Sequence, residues 1–288
     1  MISPTQGPHN IDPLTVKGFG EEWSAFDQTE LDPIEHRQLF DAYFSIFPFE
    51  SIPQNAQGFD LGCGSGRWDA LVADRVGTLH CIDPSDDALS VARRRLRGYK
   101  NVQFHLADAS NIPLEDLSQD FGYSLGVLHH IPDTETALAD CACKLKPGAP
   151  FLVYLYYSFD NRPWWFRLVW KVSDVGRRMI CRLPFALRKA ITSVIATVVY
   201  YPLSRLAMFL EKLGFNVETI PLSAYRRTSF YTMRTDALDR FGTRLEQRFS
   251  RKEIEAMMRR CGLTEVRFRE DSPYWVACGV KNPVSEIE

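Results

Sequence analysis

The sequence has 288 residues, which is enough for one large domain with insertions or for a core domain with a cap. Its net charge is −2, so the chain lacks the overall basic surplus that is typical of nucleic-acid-binding proteins. Its seven cysteines form no C-x-x-C pair, which argues against a zinc site and favours free thiols in a reducing compartment. We therefore expect a soluble, cytoplasmic protein without a metal ion.

The first 50 residues combine a polar start with two helical patterns. Residues 1–10 show no basic segment followed by an apolar run, so we expect no signal peptide. Residues 1–18 are expected to form a loose tail, and aromatic residues recur at helical spacing within 19–50. The region 1–50 is therefore predicted to be an N-terminal tail and helical cap that packs on the core.

Strands and helices are predicted to alternate in the next region, 51–157. The predicted strands are 58–61, 78–82, 102–106, 121–128 and 151–157, and the predicted helices are 68–76, 86–98 and 133–145. Alternation of this kind predicts an α/β fold with a doubly wound, Rossmann-like sheet that is mostly parallel. Ligands of such sheets bind at the carboxyl ends of the strands, where the strand order reverses.

A glycine-rich turn joins the first predicted strand to the following helix. Gly62, Gly64 and Gly66 come shortly after Asp60, and Cys63 lies between the first two glycines. Glycines permit positive φ and close approach of a ligand, and the helix N-terminus offers free N–H groups. A dinucleotide fingerprint needs its third glycine one position later, and the Asp60 charge would repel a pyrophosphate. The turn is better suited to a ligand that carries a cationic amine.

Acidic residues also follow the second and third predicted strands. Asp83, next to Pro84, could accept hydrogen bonds from both hydroxyls of a ribose. Asp108, next to Ala109, could accept a hydrogen bond from an adenine amino group. One ligand with an amino-acid end, a ribose and an adenine would satisfy these two acids together with Asp60. Taken singly, each acid could instead cap a turn or lie in a solvated loop.

Taken in order, these motifs resemble those of class I S-adenosylmethionine (SAM)-dependent methyltransferases, and most closely the subgroup of menaquinone and ubiquinone biosynthesis. The resemblance rests on residues 60–66, Asp83, 107–109 and 126–130; it covers about 55–157 and, more weakly, 245–280. It implies that Asp60 and the glycines hold the methionine part of SAM, that Asp83 holds the ribose and that Asp108 lies by the adenine. The predicted cofactor-binding set is Asp60, Gly62, Cys63, Gly64, Gly66, Asp83, Pro84, Asp108, Ala109 and Gly126.

Two adjacent histidines, His129 and His130, follow the fourth predicted strand. Methyl transfer from a sulfonium is an in-line displacement that mainly requires alignment of the reactants and exclusion of water. Either histidine could remove a proton from the methyl acceptor, because imidazole titrates near neutral pH. In the alternative interpretation, one histidine packs and the other lines the cofactor pocket without transferring a proton.

The strand–helix alternation stops at residue 158. Residues 159–212 contain ten basic and three acidic residues, with eight aromatic residues between 164 and 209. The most apolar stretch, 190–203, is shorter than the roughly 20 residues that span a bilayer as a helix. We predict that 158–235 is a helical lid over a hydrophobic or anionic acceptor, with peripheral membrane contact as a hypothesis. The alternative is a subdomain with a solvated basic face or a homodimer surface.

Residues 236–288 are predicted to complete the sheet. Ser250 and Glu253 form a capping box that opens a helix. The predicted strands 266–269 and 274–278 are too close in sequence for a parallel pair, so they should form an antiparallel hairpin.

The predicted function is transfer of a methyl group from SAM to oxygen, nitrogen or activated carbon of a small or lipid-like acceptor. One alternative is an RNA methyltransferase that uses the basic insertion, and another is a non-catalytic SAM-binding protein. The acidic overall balance argues against a nucleic-acid partner, and the intact acidic residues argue against loss of catalysis.

Overall fold

The N-terminal part of the described chain is helical. The computed structural model describes residues 10–282, so residues 1–9 of the predicted tail lie outside the described part. Helix α1 is Pro13–Ala25 and helix α2 is Pro33–Phe44. Each has proline in its first turn and an aspartate cap, Asp12 or Asp32, which accepts hydrogen bonds from first-turn N–H groups. The prediction that a loose tail extends to residue 18 is therefore wrong for its second half.

A seven-stranded sheet forms the centre of the fold, in the order β3-β2-β1-β4-β5-β7-β6. The strands are β1 Gln57–Leu61, β2 Thr78–Asp83, β3 Val102–Leu106, β4 Phe121–Leu125, β5 Pro150–Tyr154, β6 Leu263–Phe268 and β7 Val276–Lys281. The first five strands pair in parallel, whereas β7 runs antiparallel to both β5 and β6. The predicted Rossmann-like sheet with a C-terminal hairpin is confirmed.

Four helices accompany the strands: α3 Asp69–Ala73, α4 Asp86–Arg95, α5 Thr134–Lys144 and α10 Arg251–Arg260. Ser85 caps α4 and Asp133 caps α5 through hydrogen bonds to backbone N–H groups. The predicted capping box of α10 is present, since Ser250 and Glu253 bond each other's backbone.

The sheet is buried on both faces by two apolar clusters. On one face, Phe40, Phe44 and Phe47 of the N-terminal region pack with Phe121 and Tyr123. On the other face, α5 and α10 cover the remaining strand side chains. The aromatic residues of α2 therefore stabilise the core, because burial of a large aromatic side chain is strongly favourable.

A helical region lies between β5 and α10. It contains α6 Trp164–Ile180, α7 Phe185–Ile195, a π-helical segment Ala196–Tyr200, α8 Tyr201–Lys212 and α9 Phe230–Gly242. The segment Phe185–Lys212 is one continuous helix of 28 residues, long and apolar enough to cross a membrane by length and composition. The expectation that this segment is too short to span a bilayer is therefore wrong. Helix α9 also crosses the predicted boundary at 235/236, which places that boundary too early.

The strand order reverses between β1 and β4, which pair with each other. The chain continues from β1 to β2 on one side of this pair and from β4 to β5 on the other. The loops that leave the carboxyl ends of these two strands therefore diverge and leave a crevice, the usual ligand position in open α/β sheets.

Candidate active site

A cleft with about 760 Å³ of empty space, partly open to solvent, lies at this crevice. Six residues of the predicted cofactor set line it: Gly62, Asp83, Pro84, Asp108, Ala109 and Gly126. They come from the loops after β1, β2, β3 and β4, so the fold brings together four segments that are distant in sequence. Asp60, Cys63, Gly64 and Gly66, the other predicted residues, do not line the cleft.

The glycine-rich turn has a backbone that other residues would not tolerate. Gly62, Gly64 and Gly66 all have positive φ, between 54° and 82°. A Cβ atom on Gly62 would lie 2.4 Å from the side chain of Val127, and one on Gly64 would lie 2.7 Å from Nε1 of Trp23. The glycines thus allow the turn to fit between the loop after β4 and helix α1.

Asp83 joins the loops on either side of the cleft floor. Its Oδ2 accepts a hydrogen bond of 2.9 Å from the Gly64 N–H, and its Oδ1 accepts one of 2.8 Å from the Ser85 N–H. Burial raises the pKa of Asp83 to about 6, although both hydrogen bonds oppose this shift. Because Asp83 also lines the cleft, its remaining lone pairs can accept hydrogen bonds from a ligand hydroxyl.

The Asp60 side chain lies below the turn and not in the cleft, which corrects the prediction that it faces the ligand. Its carboxyl group is 1% exposed and lies in hydrogen-bond contact with Asp69. Burial raises the pKa of both groups, that of Asp69 to about 6, so one proton shared between them is favoured. Asp69 also accepts hydrogen bonds from Cys81 and Tyr123, whereas Oδ1 of Asp60 is buried without a partner among the described residues.

Cys63 is also turned away from the cleft. Its thiol lies with Asp69 and Cys81 in a buried group whose side-chain atoms are all within 4.8 Å. A hydrogen bond with Cys81 lowers the pKa of Cys63, but burial and nearby carboxylates outweigh it and raise that pKa to about 12. Both thiols are therefore protonated, and Cys81 donates to Asp69 at 3.2 Å. The predicted absence of a metal remains a prediction.

The structure separates the two adjacent histidines. Both belong to a 3₁₀ turn, Leu128–His130, but only His130 lines the cleft. The His129 ring is fully buried, stacks on Tyr156 at 3.9 Å, and has no hydrogen-bond partner for either nitrogen among the described residues. The position of His129 therefore favours a role in packing.

His130 has one nitrogen fixed and one available. Its Nδ1 lies 2.6 Å from the Leu245 carbonyl oxygen, which requires the proton on Nδ1. Its Nε2 has no hydrogen-bond partner among the described residues and lies 3.9 Å from Oδ1 of Asp239. Burial lowers the pKa of His130 to about 4, so the ring is neutral at pH 7 and Nε2 carries a lone pair.

Asp239 and Tyr156 lie next to His130, and neither belongs to a motif that sequence reasoning could have singled out. The Tyr156 hydroxyl donates to Oδ2 of Asp239 at 2.5 Å, and burial raises the pKa of Asp239 to about 6. The Asp239 side chain still has 29% of its surface accessible, although protein surrounds it. Oδ1 of Asp239 lies 3.9 Å from Nε2 of His130, so this carboxyl group adjoins the ring that lines the cleft.

Helix α1 covers the cleft. Ile11, Val16, Phe19 and Trp23 line it opposite the strand ends, and Phe19 contacts the His130 ring at 5.0 Å. None of the described residues 158–235 lines the cleft, and the lid over the acceptor remains a prediction. The insertion and its adjoining residues approach the site instead through Asp239 of α9.

The covering segment is fastened at its start. Asn10 exchanges two hydrogen bonds with the backbone of Asp133, and its N–H donates to the Ser110 hydroxyl. These contacts join α1 to the loops after β3 and β4. Residues 10–25 therefore cross the cleft from the loops after β3 and β4 to the glycine-rich turn.

Substitution of Trp23 by alanine should loosen this cover. Removal of the indole takes away the surface that lies over Gly64, so we expect SAM and its product S-adenosylhomocysteine to dissociate about tenfold faster. Stopped-flow fluorescence measures the dissociation rate. The control is Ser24→Ala, an exposed position on the same helix. Equal dissociation rates in Trp23→Ala and the wild type would show that α1 does not retain the ligand.

Comparison with known proteins gives consistent matches in the central region. Residues 59–153 match a family model described as a methyltransferase domain. Over 100 residues the chain is 37% identical to phosphoethanolamine N-methyltransferase 2 of Caenorhabditis elegans, which covers 34% of this chain and 23% of that protein. Over 102 residues it is 29% identical to demethylmenaquinone methyltransferase of Bacillus licheniformis, which covers 34% of this chain and 44% of that protein.

The matches therefore span less than half the length of these curated relatives. One solved structure, a possible exported protein from Bordetella parapertussis, is similar over 88% of this chain and 71% of its own, with a TM-score of 0.51. At 15% sequence identity, this likeness concerns the fold alone. The helical insertion lies outside the region that the family model matches.

Proposed function

We propose that the chain is a class I SAM-dependent methyltransferase that methylates a small acceptor, because residues 59–153 match a methyltransferase domain and resemble a demethylmenaquinone methyltransferase. The observation that carries the proposal is the convergence of the glycine-rich turn, Asp83 and Asp108 on one cleft. A cleft with these groups suits a ligand that has both a ribose and an adenine.

The residues present fit SAM. Asp83 and Asp108 both line the cleft, where Asp83 would bind the ribose hydroxyls and Asp108 would meet the adenine. Gly126 has a φ of +81°, and a Cβ there would have no neighbour nearer than 3.9 Å, so it would occupy the space of the ligand. Ala109 and Pro84 complete an apolar wall. Gly62, the residue of the glycine-rich turn that lines the cleft, would lie against the methionine part.

When bound, SAM supplies a methyl group that its sulfonium already activates. The chain then has to orient the acceptor, exclude water and receive a proton. Helix α1 covers part of the cleft and would shield a bound ligand from solvent there. Nε2 of His130 is available to accept a proton from the acceptor, and Asp239, 3.9 Å away, would stabilise the imidazolium that results.

We place the acceptor in the space beside His130, where Tyr156 and Asp239 supply polar contacts. Phe19 and Ile131 provide apolar surface at the same end of the cleft. This mixture suits an acceptor with an apolar body and one polar reactive atom, and a lipid-like molecule has these properties. Transfer to oxygen, nitrogen or activated carbon is compatible with a neutral imidazole as the proton acceptor.

Two measurements test the proposed function. Calorimetry should show binding of SAM and S-adenosylhomocysteine, and NAD should not compete. Incubation with methyl-labelled SAM and separate extracts of polar metabolites and lipids should transfer label to a small molecule, which mass spectrometry identifies. Binding without transfer to either extract would support the non-catalytic alternative, and transfer to RNA would support the nucleic-acid alternative. The cytoplasmic location and a homodimer remain predictions.

A further inference from the structure

Helices α6, α7 and α8 have the reverse of the usual burial pattern. Their buried positions are largely polar or charged: Asp174, Arg177, Arg188, Thr192 and Ser204. A surface helix of a globular protein normally buries its apolar stripe and exposes its polar face. The outward face of these helices is therefore suited to an apolar environment.

Helix α6 shows the exposed stripe most clearly. Trp164 is 77% exposed, Val172 67% and Met179 63%, and Leu168 and Val175 are also exposed. Spacings of three and four residues place these side chains on one face of the helix. On the opposite face, Asp174 pairs with Arg177, whose guanidinium donates to the Thr243 and Arg244 carbonyls beyond α9. The apolar stripe is thus left without a partner in the described part of the chain.

The continuous helix Phe185–Lys212 extends this surface. Its exposed apolar residues include Leu187, Val194, Val198, Leu206 and Phe209, and only 22% of its most apolar 18-residue window is buried. Arg188 nevertheless donates to the Gly242 carbonyl and pairs with Glu21, and Ser204 is fully buried. Because these contacts hold the helix against the body of the protein, it is positioned to lie along a membrane surface and not to cross the membrane alone.

The charges around the exposed surface are almost all positive. Exposed basic residues of this region are Arg167, Lys171, Arg178, Arg182 and Lys212. The acidic residues Asp174 and Glu211 are already paired with arginines. A second copy of the chain would bring like charges together at this surface, whereas anionic lipid headgroups would neutralise them.

We propose that α6–α8 dock on the surface of an anionic lipid bilayer, with the apolar stripe inserted at the headgroup level and the basic residues among the headgroups. Trp164 at the start of α6 has the amphipathic ring that is favoured at such an interface. This proposal does not depend on methyl transfer, because it rests on the exposed surface alone.

Sedimentation of the full chain with vesicles tests the proposal. We expect binding to vesicles that contain phosphatidylserine, weaker binding to pure phosphatidylcholine, and loss of binding as salt rises. The double variant Val172→Asp/Met179→Asp should bind at least tenfold more weakly, since each change places a charge in the apolar stripe. Lys171→Glu/Arg182→Glu should lose mainly the phosphatidylserine-dependent part. Both pairs are exposed, so the fold should be retained.

The matched control is Ile34→Asp, which places a charge at a 70% exposed apolar residue of α2, outside this surface. It should bind vesicles as the wild type does. Unchanged binding of SAM by all variants, measured by calorimetry, would show that any lost vesicle binding is not loss of fold. Absence of vesicle binding in the wild type, or equal binding by Val172→Asp/Met179→Asp, would overturn the proposal. A dimer that Val172→Asp abolishes, without vesicle binding, would assign the surface to self-association.

Discussion

Replacement of Asp83 by alanine is expected to weaken the binding of SAM and S-adenosylhomocysteine by about 100-fold or more. Asp83 is the ionisable side chain that combines a cleft position with hydrogen bonds to both the glycine-rich turn and the loop after β2. The substitution removes two charge-assisted bonds to the ribose, each contributing about 1.5–3 kcal/mol, and also releases the Gly64 N–H. Calorimetry measures the affinity.

The control is Asp86→Ala, which removes a highly exposed acid from the first turn of α4. It should bind the cofactor normally. Thermal unfolding should show that Asp83→Ala remains folded, because otherwise lost affinity would carry no information. Unchanged affinity in a folded Asp83→Ala protein would remove Asp83 from the cofactor site.

The affinity of the wild-type protein should also depend on pH through Asp83. Its pKa of about 6 lies above the ordinary value, so the carboxyl is protonated in the folded protein below pH 6. A protonated carboxyl can accept fewer hydrogen bonds from the ribose. We therefore expect affinity to rise as pH increases through about 6 and then to level off.

Replacement of His130 by alanine is expected to lower kcat by about 100-fold or more, while the affinity for SAM stays close to that of the wild type. The reason is that, in the proposed function, Asp83 and the glycine-rich turn hold the cofactor, whereas Nε2 of His130, which has no hydrogen-bond partner among the described residues, faces the acceptor. A single-turnover assay with labelled SAM separates the two quantities. Equal losses of turnover and SAM affinity would identify His130 as a pocket-lining residue instead.

His129→Phe is the matched control for His130→Ala. A phenyl ring can keep the stacking on Tyr156, and the His129 side chain makes no hydrogen bond within residues 10–282 that would be lost. Turnover should therefore change little. A loss in His129→Phe as large as that in His130→Ala would show that the packing of the 3₁₀ turn, and not proton transfer, explains both effects.

The core of the fold was predictable because its signals are local. The β1 strand, the glycine-rich turn and the alternation through β5 can each be recognised within a few residues, and the capping box of α10 within four. Which of His129 and His130 lines the cleft was not predictable. Adjacent residues of a 3₁₀ turn differ only in the direction of their side chains, and the sequence does not show that direction. Asp60 was misplaced for a similar reason: sequence position does not say on which side of the turn a side chain lies.

The cover over the cleft depends on contacts that are distant in sequence. Asn10 and Asp133 are separated by 123 residues, and no local pattern links them. The ten basic residues of the insertion also do not share one role. Arg177 and Arg188 donate to carbonyl groups at the end of α9, so they are not available to an acceptor. In α6–α8 the apolar residues are exposed and polar residues are buried. Composition alone cannot show which residues of a helix are exposed.

The attachment of both Arg177 and Arg188 to the end of α9 has a thermodynamic consequence. Helix α9 carries Asp239, the carboxylate beside His130. Hydrogen bonds from Arg177 and Arg188 therefore connect α6 and α7 to the helix that positions this carboxylate. If the proposed acceptor contacts Asp239 and lipid contact at α6 or α7 moves α9, the affinity for the acceptor changes as well. Reciprocity then requires that a bound acceptor alters lipid affinity by the same factor.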